Sequence, residues 1–194
     1  MIYLFLKGDR PLKYLLPALL VLTSVSSEAA NWKIVPQDSW FKFEVRAENT
    51  PVQGAFRKFF VEMDFAPANL DTAKLSVRVS LEAADMDDES INAAISGADW
   101  FAVSQFPQAV YTSQSITRTG EAAFRSRGTL MVKGTTQPVS VPFTWNESGS
   151  TATMAGEFIL FRTDFNVGTG EWAGNEPIST DVRLWFEVKL EKSE

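Results

Sequence analysis

Alternation with a period of two is the feature that most restricts the fold, and it begins near Trp32 and dominates the chain from there. In Trp40-Phe41-Lys42-Phe43-Glu44-Val45-Arg46, apolar Phe41, Phe43 and Val45 share one face, while Lys42, Glu44 and Arg46 share the other. Phe59, Val61, Met63 and Phe65 alternate with Phe60, Glu62 and Asp64, and Leu75, Val77, Val79 and Leu81 with Ser76, Arg78 and Ser80. Successive side chains of a strand point to opposite faces, so this pattern predicts half-buried strands. Further strands are predicted at 109–115, 123–133, 139–145, 153–161 and 181–190, with turn residues such as Pro67-Ala68-Asn69, Thr119-Gly120, Lys133-Gly134 and Glu147-Ser148-Gly149 between them. Many short-spaced antiparallel strands imply an all-β sandwich or closed barrel.

One segment breaks the pattern. Asp87-Asp88-Glu89 is followed by Ile91, Ala94, Ile95 and Ala98 at helical spacing. An acidic first turn suits a helix N-terminus and Gly97 suits its end, so a short helix is expected over 88–96, its apolar face covering part of the β core. Trp100, Phe101, Phe106 and Pro107 follow in an aromatic loop.

Composition limits the chemistry. The chain has 194 residues, room for one sizeable domain, with fifteen Phe and six Trp but neither His nor Cys. That removes a Ser-His-Asp triad, His- or Cys-bound zinc, a thiolate nucleophile and disulfides. Near the start, Lys7, Arg10 and Lys13 precede an apolar run from Tyr14 to about Leu22 and a small-residue stretch through Ala29. This reads as a signal peptide over residues 1–29, with a domain over 30–194. Its apolar run falls short of the roughly 20 residues that span a bilayer. Of 18 basic and 24 acidic residues, three basic (Lys7, Arg10, Lys13) and two acidic (Asp9, Glu28) lie in that segment, leaving a net charge of −7. An acidic protein repels phosphate backbones, so no nucleic-acid partner is expected. Export without cysteine fits a periplasm.

Several local motifs dissolve on inspection. An EF-hand starting at Asp85 requires Gly and Glu where Ser90 and Ser96 stand. Gly168-Thr169-Gly170-Glu171-Trp172-Ala173 matches a dinucleotide fingerprint in letters, but Gly174-Asn175-Glu176-Pro177 follows where that fingerprint needs a helix. The aromatic alternation leaves two readings open. Phe43, Phe59, Met63, Tyr111 and Phe158 either fill a core or line a chamber, and a barrel of about eight strands permits both.

Longer stretches carry a resemblance. Trp32-Lys33-Ile34-Val35 with Ser39, Phe43 and Val45, then Gly54-Ala55-Phe56-Arg57-Lys58-Phe59, resemble the opening of the YceI family of periplasmic lipid-binding proteins. Trp100-Phe101 with Phe106-Pro107-Gln108-Ala109-Val110-Tyr111-Thr112-Ser113 is similar to the family's aromatic segment. Gly128-Thr129-Leu130-Met131-Val132-Lys133-Gly134-Thr135-Thr136-Gln137-Pro138-Val139 resembles its most recognisable one, and Arg162-Thr163-Asp164-Phe165-Asn166-Val167-Gly168 its penultimate strand and loop. The likeness implies an eight-stranded antiparallel, lipocalin-like barrel with one short helix. Inside it would lie a noncovalently held isoprenoid lipid, a polyprenyl chain or isoprenoid quinone, with no cofactor, metal or catalysis. One departure is Ala47, which stands where the family often has histidine. With alternation setting the register, Phe43, Val45, Phe59, Met63, Val77, Val79, Tyr111, Leu130 and Val132 are expected to face the ligand, joined by Trp100, Phe101, Phe106 and Phe158. The alternative is a packed, non-enzymatic partner of a membrane b-type cytochrome, acting through its outer surface. An isologous homodimer is compatible with either reading.

Overall fold

In the computed structural model, which describes residues 30–193, the chain closes into an antiparallel β-barrel. The signal-peptide reading of residues 1–29 lies outside the described residues.

The wall is an eight-stranded meander in which three of the strands are broken. The first wall strand is β1 (Ala30–Ile34) followed by β2 (Trp40–Ala47), both laid along β11 (Asp181–Lys192). Ile34 pairs with Leu190 and Trp40 with Glu187, so the two pieces continue one another along the same neighbour. The interruption is a 3-10 turn, Pro36–Asp38. Ser39 closes the gap: its Oγ donates to Val35 O at 2.8 Å and accepts from Lys189 N at 3.0 Å.

β3 (Thr50–Phe56) and β4 (Phe59–Ala66) form the second wall strand, and β5 (Asn69–Ser80) with β6 (Ala84–Asp85) the third. Across the breaks, Arg57 N donates to Ala83 O and Ser80 N to Lys58 O, each at 2.9 Å, so the second and third wall strands stay bonded there. β7 (Gln108–Arg118), β8 (Ala123–Val132), β9 (Thr135–Ser148), β10 (Thr151–Phe161) and β11 complete the ring, and β11 pairs with β1 to close it. Two tight hairpins use left-handed residues: Glu48-Asn49, with φ of 48° and 69°, and Lys133-Gly134, with 48° and 75°. Positive φ at both central positions is the turn that matches strand twist.

The expected strands all appear. β3 is an addition, since Pro51 and Gly54 interrupt any alternation in Thr50–Phe56. The expected helix is α1 (Glu89–Ser96), with Asp88 as its N-cap. The β9–β10 ladder is short, covering only Thr151–Ala155 against 144–148. Beyond it, the 3-10 turn Arg162–Phe165 and Asn166 reach β9 through side chains: Gln137 Nε2 donates to Asp164 O and Asn166 Nδ2 to Thr135 Oγ1, both at 3.0 Å.

The two ends of the interior differ. At one end Trp32, Phe65, Phe124, Phe143 and Trp145 form a floor of rings, with centroids 5.0 Å apart for Trp32–Trp145 and 4.8 Å for Phe65–Trp145. Edge-to-face pairs of this kind add about 0.5–1.5 kcal/mol each beyond the area they bury. The Trp32 indole N–H donates to Phe65 O at 3.0 Å, so the buried ring carries no unmet polar group. At the other end the barrel is hollow.

Candidate functional site

The hollow half holds a chamber of about 540 Å³. This is within the ordinary size of small-molecule sites. Both readings of the aromatic alternation are thus realised, one at each end of the same barrel.

Eleven of the thirteen expected side chains line it. β2 contributes Phe43 and Val45, β4 Phe59, β5 Val77 and Val79, β7 Tyr111, β8 Leu130 and Val132, and β10 Phe158. Trp100 and Phe101 come from the loop after α1. Met63 does not line the chamber. It is inward and 1% exposed, but it pairs with Trp32 in the floor, one inward position below Val61. Alternation assigned its face correctly and left its height undetermined. Phe106 is also outside the lining: its ring lies against Gly134 in the β8–β9 turn, where an added Cβ would come within 2.9 Å of it.

The mouth is framed by Ala47 and Val52 near the β2–β3 hairpin, by Met86, by α1, and by Trp172 and Ile178. Ala47 forms a bridge with Ile178. α1 turns Ile91, Ala94 and Ile95 towards the chamber, and Ile91 remains 39% exposed. Its N-terminus is held by carboxylates. Asp88 Oδ1 accepts from Ser90 Oγ at 2.6 Å, Ser90 N at 2.8 Å and Ile91 N at 3.0 Å. Asp85 accepts from Asn92 Nδ2 at 3.0 Å, Asp87 N at 2.9 Å and Arg57 Nε at 2.9 Å.

These bonds favour the charged carboxylates. The Ser90 hydroxyl, followed by the two amides, holds Asp88 below its ordinary value of 3.8, and Asn92, Asp87 N and Arg57 do the same for Asp85. A depressed folded pKa stabilises α1 fully above the unfolded value, and that contribution is lost as pH falls through the folded value. The α1 amides are therefore expected to lose exchange protection below about pH 4 while the floor strands keep theirs. Hydrogen exchange followed by mass spectrometry against pH checks this.

Alternation did not single out Arg162, although its signal was present. Met154, Phe158 and Leu160 set the inward parity of β10, and two further residues reach Arg162. Its side chain is buried, 4% exposed, among backbone carbonyls. Nε donates to Ser179 O at 2.9 Å, Nη1 to Val167 O and Gly168 O at 3.0 and 3.2 Å, and Nη2 to Gly174 O and Ile178 O at 2.8 and 2.9 Å. The guanidinium also sits 5.4 Å from the Trp100 ring centroid. Burial lowers its pKa. It works as a clasp for residues 162–180, the segment that brings Phe165, Val167 and Trp172 to the chamber.

Tyr111 shares a buried hydrogen bond of 2.7 Å with Ser126 Oγ, and burial raises its pKa, so it stays a neutral phenol. Arg162 and Tyr111 are the ionisable groups among the lining residues, and neither exchanges protons near neutrality. Among the described residues no cluster of His, Cys, Asp or Glu could hold a metal. What such a lining can do is exclude water from a long apolar molecule.

The family model for the YceI-like domain matches residues 32–190. The chain belongs to the YceI-like family. Its curated relatives include the protein YceI of Salmonella newport, 27% identical over 89% of this chain and 92% of that protein. A UPF0312 protein of Pseudomonas putida is 24% identical over 72% of each chain. Among solved structures, Burkholderia cenocepacia BcnA superposes with a TM-score of 0.78 at 30% identity, covering 80% of this chain and 98% of BcnA. A polyisoprenoid binding domain from Saccharophagus degradans gives 0.68 at 12% identity, over 85% and 99% of the two chains, a likeness of fold. The YceI-like match reaches into every wall strand, and the floor, the mouth helix and the Arg162 clasp all lie within it.

Proposed function

We propose that this YceI-like protein is a non-catalytic periplasmic carrier that holds an isoprenoid lipid, a polyprenyl chain or an isoprenoid quinone, in its barrel. The observation that carries this reading is an apolar-lined chamber of about 540 Å³ whose ionisable lining consists of a phenol and a guanidinium already engaged by carbonyls. The solved relative from Saccharophagus degradans, a polyisoprenoid binding domain by name, supports the ligand class. The N-terminal sequence supports export.

The energetics favour a tail over a head. Burial is worth roughly 0.8 kcal/mol per CH₂, so about twenty buried carbons supply roughly 16 kcal/mol. Association costs an estimated 4–15 kcal/mol, so a long tail binds without directional bonds. To test the reading, the exported protein is purified from a bacterial periplasm and extracted with organic solvent. Mass spectrometry should find an isoprenoid in about stoichiometric amount, and the stripped protein should take up added polyprenol. Absence of both results removes the proposal.

A further inference from the structure

We infer that the chamber accepts an isoprenoid with an uncharged head and turns away its phosphorylated counterpart. This rests on the carrier reading above and specifies the ligand class of the same site.

A phosphate leaves water only where charge-assisted donors replace its hydration. Three elements at this mouth could supply them, and in each the protein itself has already taken donors. The first is Arg162, whose five N–H groups all donate to backbone carbonyls, so the planar fork that would grip a phosphate has no free prong. Its charge is enclosed by the negative ends of five peptide dipoles. The second is the glycine loop, with φ of 77° at Gly168 and 63° at Gly170. Successive amides in such a loop commonly cup an anion. Here Gly168 N and Thr169 N both donate to Asp99 O, at 2.8 and 2.9 Å. The third is the start of α1, where Asp88 takes the Ser90 and Ile91 amides.

The remaining rim cations are engaged as well. Lys133 Nζ donates to Asp99 O and Asn166 O, Arg57 faces Asp85 and Asp87, and Arg46 faces Asp181. Carboxylates, by contrast, crowd the opening. Glu48, Glu89, Glu171 and Glu176 are exposed, each within two residues of a lining residue, and they take no part in the ion pairs of the described residues. An anionic head meets repulsion on approach and finds no uncommitted cation on arrival. An uncharged head needs neither, and the faces of Trp100 and Trp172, with centroids 5.7 Å apart, offer it an apolar seat.

The test titrates the stripped protein, by its tryptophan fluorescence, with geranylgeraniol and with geranylgeranyl monophosphate, which share one tail. The phosphate should bind at least about tenfold more weakly at low salt. Raising the ionic strength, or changing Glu48, Glu171 and Glu176 together to Gln, should narrow that gap and leave the alcohol unaffected. Equal or tighter binding of the phosphate overturns the inference while leaving the carrier reading intact. A gap that neither salt nor the triple variant moves overturns the role of the rim. Failure of both probes to bind removes the carrier reading and this inference with it.

Discussion

Changing Val77 and Leu160 together to Trp is expected to abolish lipid uptake, weakening it by more than about a hundredfold, while the barrel stays folded. The two residues stand on β5 and β10, four wall strands apart in a ring of eight, and both side chains face the chamber. Two indoles would fill the hollow from opposite sides. In a solid core, such overpacking costs about 1–3 kcal/mol, because neighbours must leave their rotamers. Here the added rings enter open space, so the cost should be smaller and the melting temperature close to that of the parent. Uptake of polyprenol measured beside a thermal melt separates the outcomes. A double variant that unfolds, or one that binds as before, contradicts the placement of the ligand.

The second large effect is on stability. Arg162→Met keeps an unbranched side chain of similar reach but removes all five donors from Ser179, Val167, Gly168, Gly174 and Ile178. A buried acceptor left without a partner costs about 1–3 kcal/mol, and some of these carbonyls will recover water, so a loss of about 3–5 kcal/mol is expected. For a domain of this size the melting temperature should drop by roughly 10 °C, at about 2–4 °C per kcal/mol. Arg162→Lys should regain only part of that, since an ammonium presents three donors around one atom and cannot span the same carbonyls. Equal melting of the parent and the Met variant would show that residues 162–180 hold their shape without the clasp.

Much of the barrel was legible because a period of two leaves little freedom. Once Phe43 is inward, Phe41 and Val45 are too, and the same parity carries Val77 and Val79 on β5 and Leu130 and Val132 on β8 to the chamber. Parity fixes a face and says nothing about depth. Val61 and Met63 are equivalent by pattern, yet one borders the hollow and the other pairs with Trp32 in the floor. Which ring fills and which lines depends on where Trp32 of β1 meets Phe124 and Trp145 of the β8–β9 hairpin, and that is a tertiary fact. β3 carried no alternation because Pro51 and Gly54 sit within it, although Gly54 has a reason: a Cβ there would lie 2.5 Å from both Met86 Sδ and a carbon of the Phe43 ring. Arg162 had the right parity and the wrong polarity for a pattern search. Its partners are carbonyls, which no side-chain motif announces.

The ring-filled end of the barrel gives the molecule a built-in ruler. A flexible hydrocarbon could slide inward only as far as Val61, Met154 and Val188, which sit on the ring floor, after which every additional unit must double back or trail outside. Cargo of different lengths would share the same buried portion and differ only in the overhang presented to whatever receives it.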